Sequence, residues 1–222
     1  MHCVVTTGPT YEPLDKVRRL TNFSTGRLGS ELAAFLSSRG HEVTLLLAEM
    51  ATYRNDSPAR RVEPFTTTAD LRERLQSLAA EKVDAVFHAA AVSDFRFGKV
   101  LKSLPSDKPT PHLEDGPRDE GKISTRQGAL LVELIPTPKI IADLRGWFPV
   151  ARLVGWKYDV DGDQGNIIQL ACEQIAECRT NACVANGPAY GVGFGLVTPD
   201  GKCTHLAQVS QLFESLEKLV LE

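Results

Sequence analysis

Met1-His2-Cys3-Val4-Val5-Thr6-Thr7-Gly8-Pro9-Thr10 is the stretch that decides the architecture. A β-branched run that stops on Gly-Pro reads as a strand ending in a turn. A helix follows over about Gly26 to Arg39, with Leu28, Leu32, Phe35 and Leu36 at i, i+4, i+7 and i+8 and Gly40 as its stop. His41 to Ala48 is the next strand, with Val43-Thr44-Leu45-Leu46-Leu47 as its buried run. Strand, helix and strand in this order argue for a mostly parallel sheet covered on both faces.

The pattern continues outward. Thr67 caps a helix with Asp70 three residues on, and Leu71, Leu75 and Leu78 are its buried stripe. Val83 to Ala91 is a strand. A helix over about 164–179, with Ile168, Cys172 and Ile175 inward, leads to the strand Ala182-Cys183-Val184-Ala185. Phe194 to Val197 and Cys203 to Leu206 flank Pro199-Asp200-Gly201 as a hairpin, and Val209, Leu212, Phe213, Leu216 and Val220 line a closing helix. The expected fold is therefore α/β: a Rossmann-like, mostly parallel sheet with helices on both faces and a C-terminal hairpin plus helix. At 222 residues one core is expected, a single domain over 1–222. Residues from about 95 to 122 do not fit it. They are proline-rich (Pro105, Pro109, Pro111, Pro117), mixed in charge and aperiodic, and are expected to form a long flap after a central strand.

Composition excludes several classes. A net charge of -3 gives no electrostatic reason for a nucleic-acid or anionic-membrane partner. No apolar run approaches the about 20 residues that span a bilayer, and the first residues lack the basic leader and cleavage site of a signal peptide. Cys3, Cys172, Cys178, Cys183 and Cys203 are odd in number and form no C-x-x-C pair. Reduced thiols and a cytoplasmic location are expected.

In parallel sheets of this kind, ligands sit beyond the carboxyl ends of the strands, which singles out four segments. Gly8 lets the backbone turn tightly beside a ligand. Arg18-Arg19-Leu20-Thr21-Asn22-Phe23-Ser24-Thr25-Gly26-Arg27-Leu28-Gly29 puts hydroxyls and glycines at a helix start, where free N–H groups and the dipole favour phosphate. His88-Ala89-Ala90-Ala91-Val92-Ser93-Asp94 offers small residues and a carboxylate at a strand end, and Val184-Ala185-Asn186-Gly187 an amide that reads a base or sugar, or simply turns the chain. Lys122 places a positive charge at the end of the flap, and Arg18 suits bidentate capture of a phosphate or carboxylate. No catalytic triad, carboxylate pair or metal-ligand cluster is present in the sequence.

Taken together and in this order, these segments resemble the phosphopantothenoylcysteine synthetase family. The residues that carry the resemblance are Val5-Thr6-Thr7-Gly8-x-Thr10, Asp15-x-Val17-Arg18-x-x-x-Asn22-Phe23-Ser24-Thr25-Gly26-Arg27-x-Gly29, Ala90-Ala91-Val92-Ser93-Asp94-Phe95, Lys122-Ile123-Ser124 and Val184-Ala185-Asn186. The resemblance implies a nucleotide-dependent ligase that activates the phosphopantothenate carboxylate and joins it to cysteine. By the same resemblance Asn22 handles the acyl-nucleotide, Lys122 promotes its formation, and Arg18 contacts substrate across a homodimer interface. Ala90, Ala91 and Asp94 contact phosphopantothenate, while Gly8, Ser24, Gly26, Gly29, Trp156 and Asn186 surround the nucleotide. It implies CTP, favoured over ATP because the chain is short, together with Mg2+. A flavin is not expected, because the chain starts at the synthetase's first strand. Pro9 stands where the family has a second glycine, Trp156 where it usually has phenylalanine, and Ser124-Thr125 where many members have further lysines.

Two rival readings remain at this stage. An NAD(P)-dependent oxidoreductase is suggested by Val86-Phe87-His88-Ala89-Ala90-Ala91 and by Glu49, which follows Gly29 at about the spacing of a ribose-binding acid. Against it, residues 9–25 interrupt the glycine fingerprint, and the positions four beyond Tyr11, Tyr53, Tyr158 and Tyr190 are Asp15, Ser57, Gly162 and Phe194 rather than lysine. The other rival is a non-catalytic nucleotide-binding subunit, for which Asn22 and Lys122 together are superfluous.

Overall fold

The structure is a computed structural model that describes residues 1–53, 58–102, 121–124 and 129–221. In chain order the strands and helices are β1 (His2–Thr7), β2 (Tyr11–Pro13), β3 (Arg19–Thr21), α1 (Arg27–Ser38), β4 (Glu42–Ala48), β5 (Arg61–Phe65), α2 (Thr68–Leu78), β6 (Ala85–His88) and β7 (Phe95–Lys102). They continue with β8 (Leu130–Pro136), α3 (Ile140–Trp147), β9 (Arg152–Tyr158), α4 (Gln164–Cys178), β10 (Ala182–Asn186), β11 (Phe194–Val197), β12 (Cys203–Leu206) and α5 (Val209–Leu221). The main sheet runs β5-β4-β1-β6-β9-β10-β11-β12, parallel from β5 to β10 and closed by the antiparallel pairings of β11 with β10 and β12. Counted over its six parallel strands, this is the 3-2-1-4-5-6 order of dinucleotide-binding sheets, with the reversal between β1 and β6.

Side-chain alternation builds the two layers. Cys3 and Val5 of β1 face α1 and α5, meeting Leu32, Leu36, Leu212 and Leu216. Val4 faces the other way, into a cluster with Leu71 and Leu75 of α2 and Ile140 and Leu144 of α3. Thr67 caps α2 as expected, its side chain accepting from Asp70 N–H. All five cysteines are free thiols, and no helix among the described residues is long and apolar enough to cross a membrane.

Several sequence expectations need correction. The strand expected over Val83–Ala91 is regular only over Ala85–His88, because Ala89 to Ala91 bend to pair with the turn after β1. The inward stripe of α4 is Ile167, Ala171, Ile175 and Cys178, a face shifted from Ile168 and Cys172, which are half-buried. Phe95–Lys102, assigned to the flap, is a strand paired antiparallel with β8, with a register break between Phe97 and Val100. Its alternation is hidden by that break at Gly98, where a Cβ would lie 2.5 Å from Glu133 Oε2. Most of the remaining flap, residues 103–120, lies outside the described residues. The edge strand β5 was not anticipated either. Its Arg-Val-Glu-Pro-Phe sequence lacks alternation, and Pro64 is tolerated there because an edge has N–H groups to spare.

Contact between α1 and β1 is unusually close. A Cβ on Gly29 would meet the Thr7 side chain at 2.5 Å, and Thr7 Oγ1 already donates to Gly26 O at 2.8 Å. Gly29→Ala therefore forces the helix off the strand, and we expect a loss of about 2 kcal/mol in a denaturant titration, the middle of the overpacking range.

Candidate functional site

The carboxyl ends of β1 and β6 meet at the switch point of the sheet. Gly8, at φ +85°, turns the chain after β1, and Gly26, at φ +77°, opens α1. A Cβ on Gly26 would lie 3.3 Å from the Gly8 Cα. Gly8, Gly26 and Gly29, separated by 9–25 in sequence, are thus adjacent in space and form a glycine turn at a helix N-terminus, a geometry that suits an anionic group. The interruption is an insertion between the first and second glycine, folded as the β2–β3 hairpin.

That hairpin delivers Asn22. Immediately after β3, its Nδ2 donates to the carbonyls of Ala91 (3.3 Å) and Val92 (3.1 Å), while Thr21 Oγ1 donates to Thr10 O at 2.8 Å. Ser24 follows, half-buried, its N–H bonded to Asn22 O. Beneath lies a ladder between the two strand ends: Ala89 N–H to Thr6 O, Ala91 N–H to Gly8 O (3.0 Å), and Thr10 N–H to Ala91 O (3.2 Å). Ser93 N–H donates to Thr10 Oγ1 at 2.8 Å, and the hydroxyl bonds back to Ser93 Oγ at 3.1 Å. Ala90 and Ala91 are half-buried on this ladder, and Asp94 is exposed just beyond it, its carbonyl held by Thr137 N–H.

Thr6 also sets the end of β6. Its hydroxyl accepts from Ala90 N–H (3.2 Å) and so has its proton free for His88 Nδ1 (2.9 Å). Burial holds His88 down to about 4, so this ring is neutral at physiological pH. His88 is therefore a packed structural residue.

Trp156 and Asn186 stand on neighbouring strands, β9 and β10, at diagonal positions of the same sheet face. Trp156 Nε1 and Asn186 Oδ1 are both buried with no hydrogen-bond partner among the described residues. An orphaned donor and an orphaned acceptor on one sheet face near the carboxyl ends of these strands cost free energy unless water or a ligand satisfies them. Among the described residues no group of three or more His, Cys, Asp or Glu side chains could cage a metal ion.

Arg18 and Lys122 lie at the far end of the hairpin. Arg18 is half-buried and donates from Nε to Asp15 Oδ2 (3.0 Å) and from Nη2 to Asp15 Oδ2 and Ile123 O, the latter at 2.9 Å. The Arg18 guanidinium, with backbone N–H groups of Ile123, Val17 and Arg18, holds the Asp15 carboxyl far below the usual carboxylate range against the opposing effect of burial. Lys122 is exposed beside this cluster. The structure thus brings Gly8, Asn22, Ser24, Gly26, Gly29, Ala90 and Ala91 together, puts Trp156 and Asn186 on adjacent strands, and links Arg18 to the Lys122 segment. Sequence reasoning gave no role to Asp15, although an aspartate two and three residues before the N–H groups it accepts from is a turn signal.

The chain is similar in sequence and fold to known proteins. Residues 1–107 match the family model of the DNA/pantothenate metabolism flavoprotein C-terminal domain. The chain is 31% identical over 228 residues to the coenzyme A biosynthesis bifunctional protein CoaBC of Thermococcus kodakarensis, covering 98% of this chain and 51% of that protein. In fold it is similar to the crystal structure of the DNA/pantothenate metabolism flavoprotein from Streptococcus pneumoniae, with a TM-score of 0.81, 24% identity, and 100% and 98% of the two chains covered. It is also similar, with a TM-score of 0.71 and 20% identity over 99% and 85%, to a Cab2 mutant, H337A, in complex with phosphopantothenate-cysteine. The chain spans about half the length of the curated relatives it matches.

Fold and site define a Rossmann-like domain with a hairpin inserted into its glycine turn. Its sequence is similar over residues 1–107 to the DNA/pantothenate metabolism flavoprotein C-terminal domain, and over nearly its whole length to about half the length of the coenzyme A biosynthesis bifunctional proteins CoaBC.

Proposed function

We propose that this domain is the phosphopantothenate–cysteine ligase of coenzyme A biosynthesis. The observation that carries the proposal is Asn22, set by the inserted hairpin against the Ala91 and Val92 carbonyls at the switch point. A nucleoside triphosphate, CTP by preference, binds with its phosphates over Gly8, Ser24, Gly26 and the start of α1, and with its base toward Trp156 and Asn186. The phosphopantothenate carboxylate oxygen, placed beside Ala90, Ala91 and Asp94, attacks the α-phosphorus and pyrophosphate leaves. Asn22 turns one of its two amide N–H groups from the Ala91 and Val92 carbonyls to the acyl-nucleotide, and Lys122 stabilises the charge that develops on the phosphates. The cysteine amine then attacks the acyl carbon, the nucleoside monophosphate departs, and the nitrogen loses its proton to give the amide. Magnesium, when bound with the triphosphate, neutralises phosphate charge. No residue is assigned to a flavin.

The same geometry weighs against the oxidoreductase reading. The ladder from Gly8 and Thr10 to Ala91 bridges the crevice where a dinucleotide's pyrophosphate crosses, and the hairpin lies over it. The test is pyrophosphate release with phosphopantothenate, cysteine and magnesium, run with CTP and with ATP. Release that requires phosphopantothenate is the expected result, faster with CTP. Release with neither nucleotide, together with binding of NAD(P)H, would return the oxidoreductase.

We further propose a homodimer with Arg18 near its interface. Val17, Leu20 and Phe23 on the inserted hairpin and Phe95, Leu131 and Leu134 on the β7–β8 ribbon are exposed apolar residues. Two ribbons carrying such side chains next to the site suit a second copy of this chain. Leu131→Asp combined with Leu134→Asp is expected to give a monomer in sedimentation velocity, with ligase turnover reduced at least about tenfold. A dimer of unchanged affinity in that variant would remove this interface.

A further inference from the structure

The mechanism above uses Lys122 but leaves open what holds it. Three hydrogen bonds flank this residue. Lys16 N–H donates to Gly121 O at 3.2 Å, Ile123 N–H donates to Asp15 Oδ2 at 3.1 Å, and Arg18 Nη2 donates to Ile123 O at 2.9 Å. Ile123 itself is buried at 7% exposure, whereas the Lys122 side chain is exposed. All three partners belong to the turn between β2 and β3, and Asp15 organises that turn. Its side chain is fully buried; Oδ1 accepts from the N–H groups of Val17 (2.9 Å) and Arg18 (2.8 Å), and Oδ2 from Ile123 and the Arg18 guanidinium.

From this juxtaposition we propose that Asp15 is a positioning residue: it clasps the backbone just after Lys122 to the same hairpin that carries Asn22, in a turn whose Lys16 N–H holds the Gly121 carbonyl just before it. One rigid ribbon, itself joined to α2 through Glu12 Oε1 and Thr68 N–H at 3.0 Å, then sets both functional side chains relative to the strand ends. The need for a carboxylate follows from the geometry. An amide in its place still accepts from Val17 and Arg18 through Oδ1, but turns an NH2 toward the Ile123 N–H and the guanidinium, donor against donor. This role rests on the ligase reading for its effect on turnover, though not for its effect on the segment.

The experiment uses the whole chain with Asp15→Asn, and Ile123→Pro as a second variant that removes the bonded N–H without touching the Asp15–Arg18 pair. Amide hydrogen exchange of the peptide containing 121–124 is expected to accelerate at least about tenfold in both variants, with the β1 and β6 peptides unchanged. Pyrophosphate release by Asp15→Asn is expected to fall in kcat, with little change in the KM for phosphopantothenate, and Asp15→Asn/Lys122→Gln is expected to be no slower than Lys122→Gln alone. Unchanged exchange over 121–124 in both variants, or losses that simply multiply in the double variant, would overturn the clasp. A wild-type protein that releases no pyrophosphate but shows the exchange change would sink the ligase reading and leave the clasp standing.

Discussion

Asn22→Asp is expected to lose between about 100-fold and 1,000-fold in ligase turnover while remaining folded, the range seen when one donor to a developing oxyanion is removed. The amide nitrogen of Asn22 bonds two backbone carbonyls, at 3.3 and 3.1 Å, that end the crevice. A carboxylate there repels both carbonyl oxygens and also the phosphate and acyl oxygens that the reaction brings close. Because Asn22 is exposed, few packing contacts are lost, and the melting temperature should move by no more than a few degrees. The measurement is single-turnover formation of the acyl-nucleotide, separated from amide formation by omitting cysteine. Wild-type rates in this variant would withdraw Asn22 from the reaction.

The second large effect is an acid sensitivity located at one ring. His88 is pulled by burial from an ordinary 6.5 to about 4. Above pH 6.5 both folded and unfolded chains hold it neutral and the stability is complete. As pH falls from 6.5 toward 4, the unfolded chain takes up a proton that the folded chain refuses. Stability then declines by about 1.4 kcal/mol per pH unit, roughly 3 kcal/mol in all. Carboxylates such as Asp200, held low by Thr198, add their own losses at lower pH. The diagnostic is therefore the difference between wild type and His88→Gln, whose amide keeps a partner for Thr6 but does not titrate. The difference curve should slope between pH 6.5 and 4 and flatten outside it; a flat curve throughout would mean that the ring charges in place.

The sequence determined much of the alternation of strands and helices through its apolar periods, although β8, α3 and β9 were not anticipated. Leu28, Leu32, Phe35 and Leu36, the Thr67 cap, and the Pro199-Asp200-Gly201 hairpin are all local signals, and each element formed where its period placed it. It also carried the resemblance that singles out Asn22, Gly26 and Lys122 as candidate positions for the chemistry. Elements without a clean period were illegible for an equally physical reason. β5 is an edge strand that need not bury alternate residues, and β7 changes register in mid-strand.

Only the tertiary structure could decide how distant segments meet. In sequence, residues 9–25 break the glycine fingerprint; in space, strand β1 and helix α1 pack so closely that Gly8 and Gly26 touch across the gap. Burial lowered His88 and orphaned Trp156 Nε1 and Asn186 Oδ1, since desolvation depends on what the whole chain folds over a group. The bond from Ile123 N–H to Asp15 crosses 108 residues, and no local propensity encodes it. Periodicity reports what each segment buries, whereas the site is made of contacts between segments, which exist only once the sheet has ordered its strands.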